Sequence, residues 1–468
     1  MRTSLITTND SEDFARLSGD FNRQHLEPLT ARRLPFGRTV VHGIHTLLCA
    51  LETVAQSKST EFSLGKITVS FVEPIFQNEE FFVDFAEQDG RISGAVKKQN
   101  GVTACNFSGE LRAGEARPVQ PHDDHEYTWR QPTELSSATL HNAHCTDEPH
   151  LNGTLFGRLF PNLRRFFDLH QAAVLLMSTR VVGMEIPGEH SIFKFLSFSF
   201  TGRSKAIRFD VERFEPRSSL CSLRVAGEGV SGVVHALLRA KPVQQARYID
   251  IKKLVKKDLL IDSTVLVVGG SRGLGEAAAK IASAAGASVY VGYSAGKADA
   301  EAVVSEIRSG GGKAESVRTD VNTPMDEVAL TAQSITHVWY FASPKIEFNS
   351  TTIFDHKLFE KYLSYYVLGL EKILSIIVNA GSDKNRRLNV FSPSSEFAGS
   401  VKAGAVEYAA AKAALETYGL YCPTKFKRPI SFRTPRLPMM ATDQTSNVDA
   451  ELPNVIDILY KELLTLGQ

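Results

Sequence analysis

Two short stretches hold residue types suited to acid–base chemistry. In "LSGDFNRQHLEPLTARRLPFGRTVVHG" (residues 17–43), Asp20 and His25 are too far apart for one helical turn, so only a bent loop brings them together, and Gly19 permits one. A carboxylate and an imidazole that share one water form a general acid/base pair, with Asn22 placed to fix that water or a carboxylate oxygen. Gly43 then opens the apolar segment "IHTLLCALETVA", where an unpaired backbone N–H can polarise a carbonyl oxygen. On residue types alone, the pair fits equally an N-capping aspartate beside a surface histidine.

The second stretch, "PSSEFAGSVKAGAVEYAAAK", carries Ser394, Ser395, Tyr408 and Lys412, with the tyrosine and lysine spaced to share one helix face. A nearby ammonium lowers a phenol's pKa, which suits Tyr408 to donate a proton to a carbonyl oxygen as hydride reaches carbon, with Ser395 holding the oxygen. Upstream, "VLVVGGSRGLGEAAAK" runs from an apolar strand into a helix through Gly269, Ser271, Arg272, Gly273, Leu274 and Gly275. Absent side chains there let the backbone approach a pyrophosphate seated on the helix N-terminus. The following strand ends in Tyr293, Ser294 and Ala295 with no acid to meet a ribose 2′-hydroxyl, and Arg272 and Lys297 offer positive charge, so the expected cofactor is NADP(H).

Each candidate needs elements to hold it. A helix over Ile44 to Ala55 leads into strand-like alternation in "KITVSFVEPIFQNEEFFVDFAEQ" and "GVTACNFSGELRAG", one helix followed by antiparallel strands. The order recurs in the helix "LHQAAVLLMSTRVV" and the strands "FKFLSFSFTGRSKAIRFDVERFEP", "SLCSLRVAGEGVSG" and "VVHALLRAKP", an internal duplication with a period of about 130 residues. The second copy lacks the Asp-x-Asn-x-x-His run and has Gln171 where the first has Gly43, so it reads as non-catalytic, with His170 an interior histidine. Between the copies, a Pro-, His- and Asp-rich stretch reads as irregular linker. Its His122, His125, His141, His144, Cys145 and His150 offer ligand types without the spacing of a structural zinc site, so no metal is expected. A basic hinge, "RYIDIKKLVKKDLLIDST", precedes the βαβ rhythm of a parallel doubly wound sheet from Thr264 onward. The expected domains are residues 1–118, a linker 119–150, then 151–245 and 246–468. The fold class is α+β for the duplicated part, followed by α/β.

Composition agrees with globular domains. Among 468 residues, 53 basic side chains balance 52 acidic ones, which gives no reason to expect nucleic acid as a partner. No apolar run approaches the ~20 residues that cross a bilayer, and "MRTSLITTNDSEDF" lacks a signal peptide's apolar core, so no membrane partner and a cytoplasmic location are expected. Cys49, Cys105, Cys145, Cys221 and Cys422 are scattered and odd in number, which argues against a disulfide framework.

Residues 10 to 115, through "FARLSGDFNRQH", "FGRTVVHG" and "KITVSFVEPIFQNEEFFV", resemble the MaoC-like (R)-specific enoyl-CoA hydratases. The resemblance implies a hot-dog fold in 1–118 and a second, non-catalytic hot dog in 151–245. It implies that Asp20 and His25 add or remove water at an acyl thioester while Gly43 takes the oxyanion role. Residues 262 to 445 resemble the short-chain dehydrogenase/reductases. That match rests on the glycine pattern at 269–275, Asp320 and Val321 at the adenine position, Ser395, and Tyr408-x-x-x-Lys412. Two departures stand out: Tyr366 replaces the family's helix asparagine, and the family's Asn-Asn-Ala-Gly segment appears as "YFASP", which contains Ala342. Pro435-Arg436 replaces a Pro-Gly turn. Together the resemblances imply a bifunctional enzyme linking 3-oxoacyl, (R)-3-hydroxyacyl and trans-2-enoyl thioesters of CoA or an acyl-carrier protein, and a homo-oligomer, dimer or tetramer. The alternative is an acyl-thioester-binding protein whose nucleotide domain is a scaffold or sensor.

Overall fold

Long alternating stretches pair into sheets, and the computed structural model describes them over residues 3–113, 126–347, 353–380, 385–400, 402, 404–445 and 452–464. The chain divides into two units, Met1–Lys241 and Pro242–Gln468, so the division falls slightly before the expected 245/246 boundary.

The first unit holds β1 (Thr3–Leu5), β2 (Phe62–Phe71), β3 (Glu80–Gln88), β4 (Arg91–Lys98), β5 (Thr103–Ala113), β6 (His144–Asp147), β7 (Ser191–Phe200), β8 (Ile207–Glu215), β9 (Leu220–Gly227) and β10 (Val230–Leu238). They form one sheet in the order β1-β3-β4-β5-β2-β7-β10-β9-β8-β6. The order reads as a palindrome about β2 and β7, which pair antiparallel from Lys66↔Ser199 to Ser70↔Phe195. Thr68 Oγ1 and Ser197 Oγ lie 2.9 Å apart across that seam. β2 and β7 hold equivalent places in the duplication, so the repeat read in sequence is a repeat in space.

Each half contributes a long helix, Gly43–Ala55 and Leu169–Arg180. Ile44, Leu47, Leu48 and Leu51 recur at helical spacing and are fully buried, each worth about 1.5–3 kcal/mol of burial. The second helix is buried nearly all round and passes into a wide π turn, Val181–Glu185.

Two sequence readings of this unit need correction. "RISGAVKK", unassigned in sequence, forms β4, with Ile92 and Val96 supplying its buried face. The linker 119–150 is not wholly irregular: its described part gives the helix Ser137–Leu140 and the strand β6, which covers the edge of β8. His122 and His125 lie outside the described residues.

The second unit holds β11 (Thr264–Val268), β12 (Ser288–Tyr293), β13 (Lys313–Arg318), β14 (His337–Tyr340), β15 (Leu388–Phe391), β16 (Ser394–Ser395), β17 (Ile430–Arg433) and β18 (Arg436–Leu437). The main sheet is parallel, ordered β13-β12-β11-β14-β15-β17, and the order in which strands are added reverses between β11 and β14. Ligands bind such sheets at the carboxyl ends of the strands near the switch. The basic hinge is a helix, Tyr248–Leu254, docked through buried Tyr248 and Ile251. One helical run, His356–Ala380, meets the length and apolarity of a membrane span by composition, contrary to the sequence expectation. Its Tyr362, Tyr366, Leu370, Ile373 and Ile377 are buried in a core of this unit, which accounts for the apolarity.

Candidate functional site

Gly19 ends the helix Thr8–Ser18 with φ 76°, a left-handed turn that brings Asp20 inside. The carboxylate is 2% exposed and fully engaged. Asn22 N–H donates to Oδ1 at 3.2 Å and Thr179 Oγ1 donates to Oδ2 at 2.7 Å. Burial raises its pKa above the ordinary aspartate value, against the opposing pull of His25 and these hydrogen bonds. Thr179 belongs to the second half. So does Gly183, where a methyl group would lie 2.2 Å from Asp20 Oδ1. The second repeat therefore makes room for the first repeat's carboxylate and anchors it.

His25 is set by a main-chain acceptor. Its Nδ1 lies 2.8 Å from Val40 O, so Nδ1 carries the proton and Nε2 holds the lone pair, with Gln24 Nε2 3.3 Å away. Burial, together with the neighbouring His42, pulls its pKa down to about 3, which keeps it neutral at physiological pH. The His42 ring stacks on it at 3.8 Å between centroids, and His42 Nε2 donates to Asp20 O at 3.0 Å. Asp20, His25 and His42 each place a ligand-type atom within 4.8 Å of the others, a group formed among the described residues away from the connector histidines weighed in sequence.

Asp20, His25, Gly43, Thr46, Thr179 and Gly183 line one cavity of about 150 Å³. Gly43 is the first residue of its helix, and no side chain caps that end, so its N–H has no intrahelical acceptor. A methyl group at Gly43 would meet the Phe71 ring at 3.0 Å. Of the two roles weighed for Asn22, its backbone N–H takes the one on a carboxylate oxygen, Asp20 Oδ1; its side-chain amide donates instead to the carbonyls of Gly183, Gly188 and Glu189 at 3.1, 3.3 and 3.2 Å, while its Oδ1 caps Gln24. The short Asn22–Leu26 turn needs a cap and the π turn leaves carbonyls to satisfy, so Asn22 ties the halves together rather than holding a water.

The equivalent place in the second half is closed. Gln171 Oε1 accepts from Leu64 N at 2.7 Å and its Nε2 donates to Leu64 O at 2.9 Å, so the side chain pairs with β2 like a piece of strand. His170 Nε2 lies 3.0 Å from Ser204 O.

In the second unit, Gly269 (φ 75°) and Gly273 (φ 57°) shape the turn after β11. A methyl group on Gly275 would lie 2.1 Å from Gly269 O, and one on Gly269 would lie 2.9 Å from Ala342 N. This close-packed loop opens the helix Gly273–Ala284 and leaves its first amides for an anion, so it fits a dinucleotide's pyrophosphate. Ser271 is buried there, with Arg272 and Leu274 half-buried. Ser294 follows β12 and is exposed. Asp320 and buried Val321 follow β13, and Asp320 Oδ1 accepts from Asn322 N at 3.1 Å.

Tyr408 and Lys412 lie on one face of the helix Val406–Lys425, and Ser395, whose Oγ accepts from Phe397 N at 3.3 Å, pulls the Tyr408 phenol's pKa down against its burial. The expected lowering of the phenol is reversed: burial raises Tyr408 above 10.0 and pulls Lys412 down to about 7. Nζ of Lys412 is 5.9 Å from the Tyr408 ring centre, too far to outweigh that burial. Ser394 Oγ donates to Glu416 at 2.6 Å, and Arg436, read in sequence as replacing part of a Pro-Gly turn, grips Glu416 through two contacts of 2.8 Å. Sequence reading missed Thr179, Gly183 and Glu416. The first two sit in the half judged inert and carry no local signal; Glu416 stands one turn beyond Lys412, a spacing that does point to it.

Residues 2–106 match the family model described as MaoC like domain, and residues 263–419 match that of short chain dehydrogenase. An uncharacterized oxidoreductase of Methylorubrum extorquens is 40% identical over 70 residues, 15% of this chain and 28% of that protein. Versicolorin reductase of Emericella nidulans is 40% identical over 75 residues, 16% of this chain and 28% of that protein. The chain thus spans under a third of the length of either curated relative. A short chain dehydrogenase from Burkholderia cenocepacia in complex with NADP is 22% identical, covering 45% of this chain and 92% of that one, with a TM-score of 0.40. A putative short chain dehydrogenase from Escherichia coli complexed with NADPH is 20% identical, covering 46% and 94%, also with a TM-score of 0.40.

Proposed function

From a chain that carries a MaoC-like domain followed by a short-chain dehydrogenase domain, we propose a bifunctional enzyme acting on acyl thioesters. The first unit, read as a double hot dog, adds water to a trans-2-enoyl thioester or removes it from an (R)-3-hydroxyacyl thioester. The second reduces a 3-oxoacyl thioester to the same (R)-3-hydroxyacyl compound with NADPH. The observation that carries the reading is the meeting of Asp20, the lone-pair face of His25 and the Gly43 end of its helix at one cavity.

In hydration, a water held between Asp20 and His25 loses a proton to His25 Nε2 as its oxygen attacks C3. The electrons of the double bond move toward C2 and the thioester oxygen, where the Gly43 N–H stabilises the developing charge. The proton on the pair then passes to C2, so hydroxyl and hydrogen are both added and the site returns to its starting state. Burial that keeps His25 neutral makes it a base from the outset. In the second unit the glycine loop at 269–275 would hold the pyrophosphate of NADPH, which would supply the hydride for the carbonyl carbon. Tyr408, kept protonated by burial, donates its proton to the carbonyl oxygen, Ser395 orients that oxygen, and Lys412 offsets the charge left on the phenol. NADPH over NADH is supported by Ser294 and Ala295 at the end of β12, where an acid would repel a 2′-phosphate. That preference favours the synthetic direction. Having both sites on one chain raises the effective concentration of the shared hydroxyacyl thioester.

The test is to assay the purified full chain for loss of enoyl absorbance with crotonyl-CoA and for NADPH oxidation with acetoacetyl-CoA, then with carrier-protein thioesters. Both activities are expected. Absence of both on either carrier would leave the thioester-binding scaffold as the reading.

Two variants in the second half test its part in the first half's chemistry. Thr179→Val removes a hydrogen bond to a buried carboxylate, expected to slow hydration roughly 10- to 100-fold. Thr179 favours the ionised form of Asp20, so its loss raises that pKa further and moves the acid limb of the pH–rate profile to higher pH. Gly183→Ala forces the carboxylate aside and is expected to cost on the order of 10²-fold in kcat. Steady-state kinetics of both variants check these values, and unchanged kinetics would detach Asp20 from the reaction.

A further inference from the structure

Lys412 is buried, and its ammonium makes one direct hydrogen bond among the described contacts, to Pro393 O at 2.9 Å. An ammonium has three donors, and a buried charge without compensation is costly. Glu416, one turn along the helix, is the nearest acid, but its carboxylate is held by Arg436 and Ser394. On another side stands an aromatic face: Nζ lies 4.1 Å from the centre of the Tyr366 ring. Tyr366 is itself fixed. It is buried, its hydroxyl lies 2.8 Å from Ser343 Oγ, its ring stacks on Tyr362 at 5.9 Å, and it meets Tyr408 edge-on at 5.9 Å.

We propose that Tyr366 is a positioning residue for the reductase, whose ring face holds the Lys412 ammonium charged and in place beside Tyr408 by cation–π attraction. The inference rests on the reductase reading above and explains why a ring is useful at this position. A neutral ring face attracts a cation without adding a second negative charge next to the phenol that must donate a proton. The titratable groups around Lys412 are then Glu416 on its own helix, Tyr408 on the same face, and Tyr366 and Tyr362 from the His356–Ala380 run. Arg436 reaches the cluster only through Glu416.

The test uses the full chain with Tyr366 replaced by Phe, by a series of ring-fluorinated phenylalanines of nearly constant size, and by Leu. The titration midpoint of Lys412 is read by NMR on ¹³Cε-lysine protein without nucleotide, its resonance assigned by loss in Lys412→Arg. The alkaline limb of ketoreduction is followed in parallel. Phe is expected to preserve both midpoints, fluorination to lower them stepwise, and Leu to lower them by about one pH unit. The sign follows from the ring favouring the protonated amine: without it, the proton leaves at lower pH. A midpoint that is flat across the fluorinated series, or one that Phe shifts as far as Leu, overturns the proposal. If the midpoints fall stepwise but the native chain reduces no ketone, the cation–π contact of Tyr366 with Lys412 stands and the reductase reading fails. Because fluorination scarcely changes volume, the series remains informative even if the Leu variant does not fold.

Discussion

Asp20→Asn is expected to lower kcat/KM for enoyl-thioester hydration by about 10³-fold while leaving NADPH-dependent reduction by the same chain unchanged. The amide is nearly isosteric with the carboxylate, and its surroundings can accept it. Oδ1 keeps the Asn22 N–H, and the Thr179 hydroxyl, which donates to Oδ2 in the native chain, can rotate to accept from the new NH₂. The fold and the melting temperature are therefore expected to hold, which separates lost chemistry from lost structure. What disappears is a proton acceptor on one side of the water. His25 remains neutral, its Nε2 lone pair 3.3 Å from the Gln24 amide, but an imidazolium formed beside a neutral amide has no opposite charge to stabilise it, and the low pKa set by burial makes that loss severe. Hydration that persists at native rate in Asp20→Asn would overturn the assignment of the acid–base pair.

The pair could be found in sequence because its signal is local: a short loop with two titratable groups ahead of an apolar helix that begins in glycine. The duplication was also legible, since strand alternation repeats at a fixed period, and the palindromic sheet order follows from it. What was not legible depends on contacts between the halves. Thr179 and Gly183 have ordinary residue types in an apolar helix and the turn after it, and they reach Asp20 through the packing of one half on the other. Asn22 was read only in part: its backbone N–H does fix a carboxylate oxygen of Asp20, but its side-chain amide satisfies three carbonyls more than 160 residues away, which nothing local announces. In the second unit the glycine loop and the Tyr408–Lys412 spacing were plain. The direction of their pKa shifts was not, because burial, which sequence does not display, outweighs their mutual charge effect.

Tyr408→Phe is expected to lower ketoreduction by about 10²- to 10⁴-fold, with hydration unaffected. The substitution keeps the ring that packs edge-on against Tyr362, Tyr366 and Phe397, so the aromatic cluster and the helix that carries Lys412 should persist. Only the proton donor and its interaction with Ser395 are removed. The pH dependence sharpens the test. Burial raises the phenol, so Tyr408 stays protonated through neutrality and contributes no limb there. Lys412, depressed from 10.5 to about 7, is charged below that pH and loses its proton above it, so native reduction is expected to fall as pH rises through about 7 unless bound nucleotide phosphates shift the limb upward. In Tyr408→Phe no phenol proton leaves, no anion develops for the ammonium to offset, and the residual rate should lose that limb. A variant that keeps both the native rate and the native pH profile would mean that another group delivers the proton to the carbonyl oxygen.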